Sequence, residues 1–237
     1  MHPIEIHYIF RLPGATEQTF ALQLDEKTLE LPGMEGSRLP DWCRLDFHQC
    51  PNCREMEGKK WCPAAAQLSG IVHRFTTLLS YEEIQLTVIT SEREIRQATT
   101  IQRAISSYMG LVMAASGCPH TAFLRPMARF HLPLANDRET LYRAFSMYAL
   151  AQFFIARENG TVDMEFQGLK QAYEDIQRVN KSMVKRLRDA SEKDSSVNAL
   201  VNLDLHARII PFVFEESLEE LRALYAPYLK LKPSDRQ

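Results

Sequence analysis

"IEIHYIFRLPGATEQTFALQL", residues 4–24, decides the class of the fold. Ile4, Ile6, Tyr8 and Phe10 recur at every second position, the period of a strand with one covered face. "LPGATEQ" supplies a turn, and Phe20, Leu22 and Leu24 return with the same period. A two-stranded hairpin is marginal in water by itself, so the rest of the chain must cover it. "DEKTLEL" (25–31) reads as a further short strand, and "PGMEGSRLPDW" (32–42) as a loop by its Gly and Pro content.

Downstream, the period changes. Residues 63–79 predict a helix with Pro63 in its first turn and Leu68, Ile71, Val72, Phe75, Leu78 and Leu79 on one stripe. "EEIQLTVIT" (82–90) returns to strand. Residues 91–97 fit either a helix start, through Ser91 and Glu94, or a continued strand through Ile95. A helix follows over 98–116, with Gly117 as its C-terminal cap. Residues 118–136 form an irregular connection holding Pro119, Pro126 and Pro133. Asn136 with Glu139 opens the next helix, which stops at Asn159-Gly160. Asp163 is read as the start of a long one, whose Phe166, Leu169, Tyr173, Ile176, Met183 and Leu187 make a near-heptad seam suited to an antiparallel helix pair. "VNALVNLDL" predicts a short helix, and Ser217 with Glu220 the cap of a last one. The expected fold class is α+β: a small N-terminal antiparallel sheet of three to four strands packed on a predominantly helical C-terminal part. Residues 1–237 read as one domain, with the hairpin, the Cys-rich knuckle, a helix and a strand in 1–97 and the helical part in 98–237.

With 45% hydrophobic and 24% charged residues, the 237-residue chain has the composition of a globular protein. A net charge of −2 gives no field that would gather nucleic acid or anionic lipid, so neither is expected as a partner. No stretch approaches the roughly 18 uncharged apolar residues of a membrane span. A cytoplasmic location is the expectation, and the cysteines agree: five is odd, and three crowd into one segment, unlike a secreted disulfide framework.

That segment is "DFHQCPNCREMEGKKWCP" (46–63). Cys50, Cys53 and Cys62 stand in a C-x2-C-x8-C pattern, and a C-x2-C turn aims two thiolates at one ion about 2.3 Å away. A structural zinc site takes four ligands. Cys118, just past a predicted helix end, is the preferred fourth, because the negative end of the helix dipole disfavours a free thiolate there but suits a thiolate under a cation. His48 is the alternative ligand. "CPNC" also has the C-P-x-C form of some thiol-disulfide oxidoreductases, with Cys50 as nucleophile and Cys53 as resolving thiol. However, the polar, Gly-broken "REMEGKK" that follows lacks the helix such a nucleophile sits on. Simple packing of the cysteines is the third reading.

"GCPHTAFLRPMARFHLP" (117–133) holds two histidines and two arginines and no acid. His120, Arg125, Arg129 and His131, with Arg138 and Arg143 beyond, suggest a loop for a small anionic ligand or a protein partner. The competing expectation is that the arginines pair with acids such as Asp137 and Glu139, and that His131 is a hydrogen-bonded structural histidine. The small residues Ser106, Ser107, Gly110, Ala114 and Ala115 allow close helix packing or leave room for a ligand. Phosphate-loop, dinucleotide-binding, serine-hydrolase and zinc-protease motifs do not occur.

"LDFHQCPNC", the later "CP", "SGCPH", "RPMARFHLPLA" and "ETLYRAFSMYALAQFF" together resemble an uncharacterised bacterial family, a domain of unknown function, from the first hairpin to about residue 205. The resemblance implies no activity, substrate or ligand set. The functional expectation is therefore a binding or regulatory module with a structural zinc, homodimeric through its long helices if it assembles; the enzyme alternatives are the thiol-disulfide oxidoreductase and a pocket enzyme using His131 and Arg129.

Overall fold

The computed structural model describes residues 2–34, 38–54, 56, 58–75, 78–190, 194–212 and 214–230. Strands β1 (Ile4–Arg11), β2 (Glu17–Leu24), β3 (Glu83–Ile89) and β4 (Glu94–Thr100) form one antiparallel sheet in the order β2-β1-β3-β4. Tyr8 sits opposite Phe20 on one side and Val88 on the other, so the apolar positions of three strands line one face. Two helices cover that face: α1 (Pro63–Phe75) and α2 (Ile101–Ala115). Phe10 meets Phe75 with ring centroids 5.0 Å apart, and Tyr8 meets Tyr108 edge-on at 5.3 Å. Burying side chains of this size is the main stabilising contribution, about 1.5–3 kcal/mol each. The fold class is the α+β arrangement read from the sequence.

Residues 25–31 are not a strand. The Asp25 carboxylate accepts the backbone N–H groups of Lys27 and Thr28 at 2.9 and 2.7 Å, and Leu29 takes a positive φ of 58°. Local side-chain bonding thus replaces ladder bonding. Those bonds also hold the Asp25 carboxyl below the usual carboxylate range. The ambiguous 91–97 stretch resolves as the turn into β4. The Thr90 hydroxyl accepts the N–H groups of Glu92 and Arg93, closing the β3–β4 hairpin where a helix cap was the alternative.

The remaining helices are α3 (Arg125–Arg129), α4 (Asp137–Arg157), α5 (Gln167–Ala190), α6 (Ser195–Phe212), α7 (Phe214–Arg222) and α8 (Ala226–Leu229). The cap at Asn136 is as predicted, with both bonds of a capping box to Glu139 formed, at 2.8 and 2.9 Å. By contrast, α5 begins four residues after Asp163. The Asp163 carboxylate instead accepts from the Tyr148 hydroxyl and from the Gly168 N–H, both at 2.7 Å, and Phe166 turns the chain at φ 55°. Ser217 lies inside α7 rather than at its start.

The "short helix" at 197 is the 18-residue α6, which lies against both α2 and α5. α5 and α6 run antiparallel, with the Gln177 amide donating to the Ala207 carbonyl across the pair. Among the described residues, no helix is long and apolar enough to cross a membrane.

Candidate functional site

The Cys-rich segment is a closed loop. Its ends are zipped by the Cys62 N–H to Cys43 carbonyl bond at 2.9 Å and the Leu45 N–H to Lys60 carbonyl bond at 3.0 Å. At its tip the Cys53 N–H donates to the Cys50 carbonyl at 3.0 Å, which is the tight turn the C-x2-C spacing implies. Cys62 leads directly into α1, its carbonyl accepting the Ala66 N–H at 2.9 Å. Cys118 follows α2 through Gly117, which takes the left-handed φ of 82° that favours glycine.

No disulfide joins the five cysteines, and four of them are buried, Cys50 being half-buried. Burial pushes the Cys50 thiol up to about 12, against a hydrogen bond from Ser182, and the thiols of Cys62, Cys118 and Cys53 each add to the rise. Burial likewise raises Cys118 to about 11, with Cys62 again contributing. The expected direction at Cys118 is found, but desolvation causes it rather than the helix end. Cys43, which the spacing argument passed over, lies beside Cys62; its thiol donates to the Ala65 carbonyl at 3.4 Å and is raised to about 12, chiefly by burial.

The four predicted thiols are thus electrostatic neighbours, drawn from the loop tip, the start of α1 and the end of α2. Among the described residues, no group of three or more His, Cys, Asp or Glu side chains is arranged to hold a metal ion. His48 points elsewhere: its Nε2 pairs with the Asp189 carboxylate on α5 at 2.7 Å.

Arg186 was not singled out in the sequence, although it stands three residues after Met183 on the buried seam of α5. It is 1% exposed and donates to the carbonyls of Trp42, Arg44 and Leu45 at 2.8, 2.6 and 3.0 Å. Among the described residues it forms no ion pair. Its charge acts on Cys43, whose thiol it pulls downward against burial.

The Arg/His loop does not assemble as a unit. Arg125 pairs with Glu30, whereas Arg129 lies over the ring of Phe130 at 5.3 Å. His120 sits in the turn after Cys118, where its backbone N–H bonds the thiol and lowers its pKa. His131 turns inward, its Nε2 hydrogen-bonded to the Tyr8 hydroxyl. Tyr8 also bonds the Ser107 hydroxyl at 2.9 Å, and Ser107 accepts the Leu134 N–H at 3.2 Å. Burial, with the charge of Arg143 beside it, lowers the His131 pKa to about 3, so the ring is neutral. This is the structural-histidine alternative, with one addition: His131 lines a cavity of about 380 Å³ between α2, the 121–135 connection, α5 and α6.

The sequence profile of a domain of unknown function, DUF6901, matches residues 6–226. The chain belongs to the DUF6901 family. No curated protein and no solved structure matches it. Membership of DUF6901 therefore brings no activity with it, and the chemistry has to come from the side chains.

Proposed function

We propose that this DUF6901 chain is a binding module without catalysis of its own, in which Cys50, Cys53, Cys62 and Cys118 hold one structural zinc ion. The observation that carries the reading is that these four thiols, three buried and one half-buried, come from three separate segments and lie within electrostatic reach of one another. Four sulfur ligands suit tetrahedral zinc and leave no open coordination place for a substrate. Arg186 supports the same reading. A zinc ion with four thiolates carries two negative charges, and Arg186, a buried guanidinium with no carboxylate partner among the described residues, places a positive charge beside Cys43, the neighbour of Cys62. Loading requires the thiols of the Cys50–Cys53 turn to rotate toward those of Cys62 and Cys118, Cys50 giving up its bond with Ser182. The oxidoreductase alternative is weakened by the Cys50 thiol: held at about 12, it leaves little thiolate at neutral pH, the reverse of what a nucleophilic C-P-x-C pair needs.

The test is metal content of untagged protein by mass spectrometry, with thiols counted native, chelated and denatured. One zinc per chain is expected, with the thiols of the set protected until chelation, and Cys53→Ser should lose both zinc and thermal stability. Protein that retains no zinc after reconstitution, and melts the same with and without chelator, overturns the reading.

A further inference from the structure

We propose that the cavity between α2, α5 and α6 binds a small amphipathic monocarboxylate, with its carboxylate on Arg143 and Tyr173 and its apolar body directed along α5 toward Asn180. The proposal rests on the reading of the chain as a binding module but not on the metal. At about 380 Å³, the space falls within the size range of small-molecule sites. One wall is α2, where Ser106, Gly110 and Ala114 follow one another at four-residue spacing and keep the helix surface low. A Cβ at Gly110 would stand 3.3 Å from the Leu203 side chain, so glycine there also sets how closely α6 approaches. Most of the remaining lining is apolar, including Met113, Leu124, Met127 and Ile176.

Three polar groups in this lining point to the ligand chemistry. Arg143 donates to the carbonyls of Met127 and Phe130 at 2.8 and 2.9 Å, yet no carboxylate pairs with it among the described residues. Burial depresses its pKa, with the Tyr173 hydroxyl and the Glu139 carboxylate acting in the opposite direction. The Tyr173 hydroxyl lies within the field of Arg143 and has no hydrogen-bond partner among the described residues, although the residue is only 5% exposed. Asn180, 2% exposed, lines the cavity with its amide equally unpartnered.

Tyr173 and Asn180 are seven residues apart on one helix, about 10 Å at 1.5 Å per residue. The cation and the hydroxyl thus mark one end of a slot and a neutral amide the other. Among the described residues the charged lining is Arg103, Arg143 and Asp137, and His131 is neutral, so the lining carries one net positive charge, which favours an anion. A ligand with an apolar body between a carboxylate and a neutral hydrogen-bonding end matches all three groups.

Calorimetric titration and thermal melting with octanoate, 4-phenylbutyrate and octan-1-ol test this on the full chain, with zinc measured on the same preparation. We expect at least one of the two carboxylates to bind and raise the melting temperature, and octan-1-ol to bind at least tenfold more weakly. Arg143→Met should abolish that preference. Because Arg143 also holds two carbonyls, its variant risks misfolding; Ala114→Met, which fills the cavity from α2, gives an independent check and should remove binding of acid and alcohol alike. The proposal fails if neither carboxylate binds the wild-type chain, if the alcohol binds as well as the acids, or if binding survives Ala114→Met. Failure of the zinc reading would appear in the metal content alone.

Discussion

Replacing Arg186 by Met keeps the length of the side chain and removes the donors that hold the Cys-rich loop to α5. Three carbonyls lose a partner in the variant, but not equally. The Arg44 carbonyl also accepts the Phe47 N–H at 3.3 Å, so it retains one bond, whereas those of Trp42 and Leu45 depend on Arg186. Leaving a buried acceptor unsatisfied costs about 1–3 kcal/mol. Two such acceptors give a loss of about 2–6 kcal/mol, reduced by the guanidinium no longer having to be desolvated. A net loss of about 3 kcal/mol is expected, which for a chain of this size lowers the melting temperature by about 6–12 °C. Arg186→Lys should recover little of it, since one ammonium cannot span three carbonyls on separate residues. Urea unfolding followed by circular dichroism measures both variants. A loss below about 1 kcal/mol for Arg186→Met, or full rescue by Lys, would refute the account of Arg186 as the clamp of the loop.

Two further outcomes follow from the geometry. The folded chain holds His131 neutral down to about 3, while the unfolded chain takes up a proton near 6.5, so stability should fall as pH drops through that window, by up to about 1.4 kcal/mol per pH unit, and level off below it. His131→Gln should flatten the slope between pH 6.5 and 4.5 in urea titrations; an unchanged slope would show that other groups set it. Asn136→Ala removes the capping box of α4 and should cost about 1 kcal/mol, read as a loss of about 2–4 °C in melting temperature, with no effect on zinc content.

The fold was legible where apolar period and burial coincide. The alternation of Ile6, Tyr8 and Phe10, the stripe of Leu68, Ile71, Val72 and Phe75 and the cap at Asn136 each depend on near neighbours, and each is found. α6 was undervalued because α2 and α5 both lie against it, and a helix covered on two sides loses the one-sided pattern that announces a surface helix. "DEKTLEL" misled because alternating Leu29 and Leu31 outweighed, on paper, what the Asp25 carboxylate does to the next three residues.

In the candidate site, the turn of Cys50 and Cys53 follows from its spacing, and Cys118 was preferred for its place just past the end of α2. The structural histidine at His131 and the interest of Arg143 were legible, but the cavity they line with Tyr173 and Asn180, and the bonds of Arg186, were hidden because they depend on which helices meet. A trace existed: Tyr173, Asn180 and Arg186 interrupt the apolar seam of α5 with polar groups, and polar residues on a buried face call for partners or ligands.

The distance along the chain between the loop and its clamp has a consequence for synthesis. Arg186 bonds the Trp42 carbonyl across 144 residues of sequence. A ribosome adding about 5–20 residues per second leaves that carbonyl without its donor for about 7–30 s, and longer while the exit tunnel still encloses α5. For most of that interval the nascent loop holds Cys43, Cys50, Cys53 and Cys62 with no finished wall behind them. The order in which the thiols meet oxidant, metal or their own helix is therefore set by translation, and refolding from denaturant, where α5 is present from the start, runs in a different order from birth.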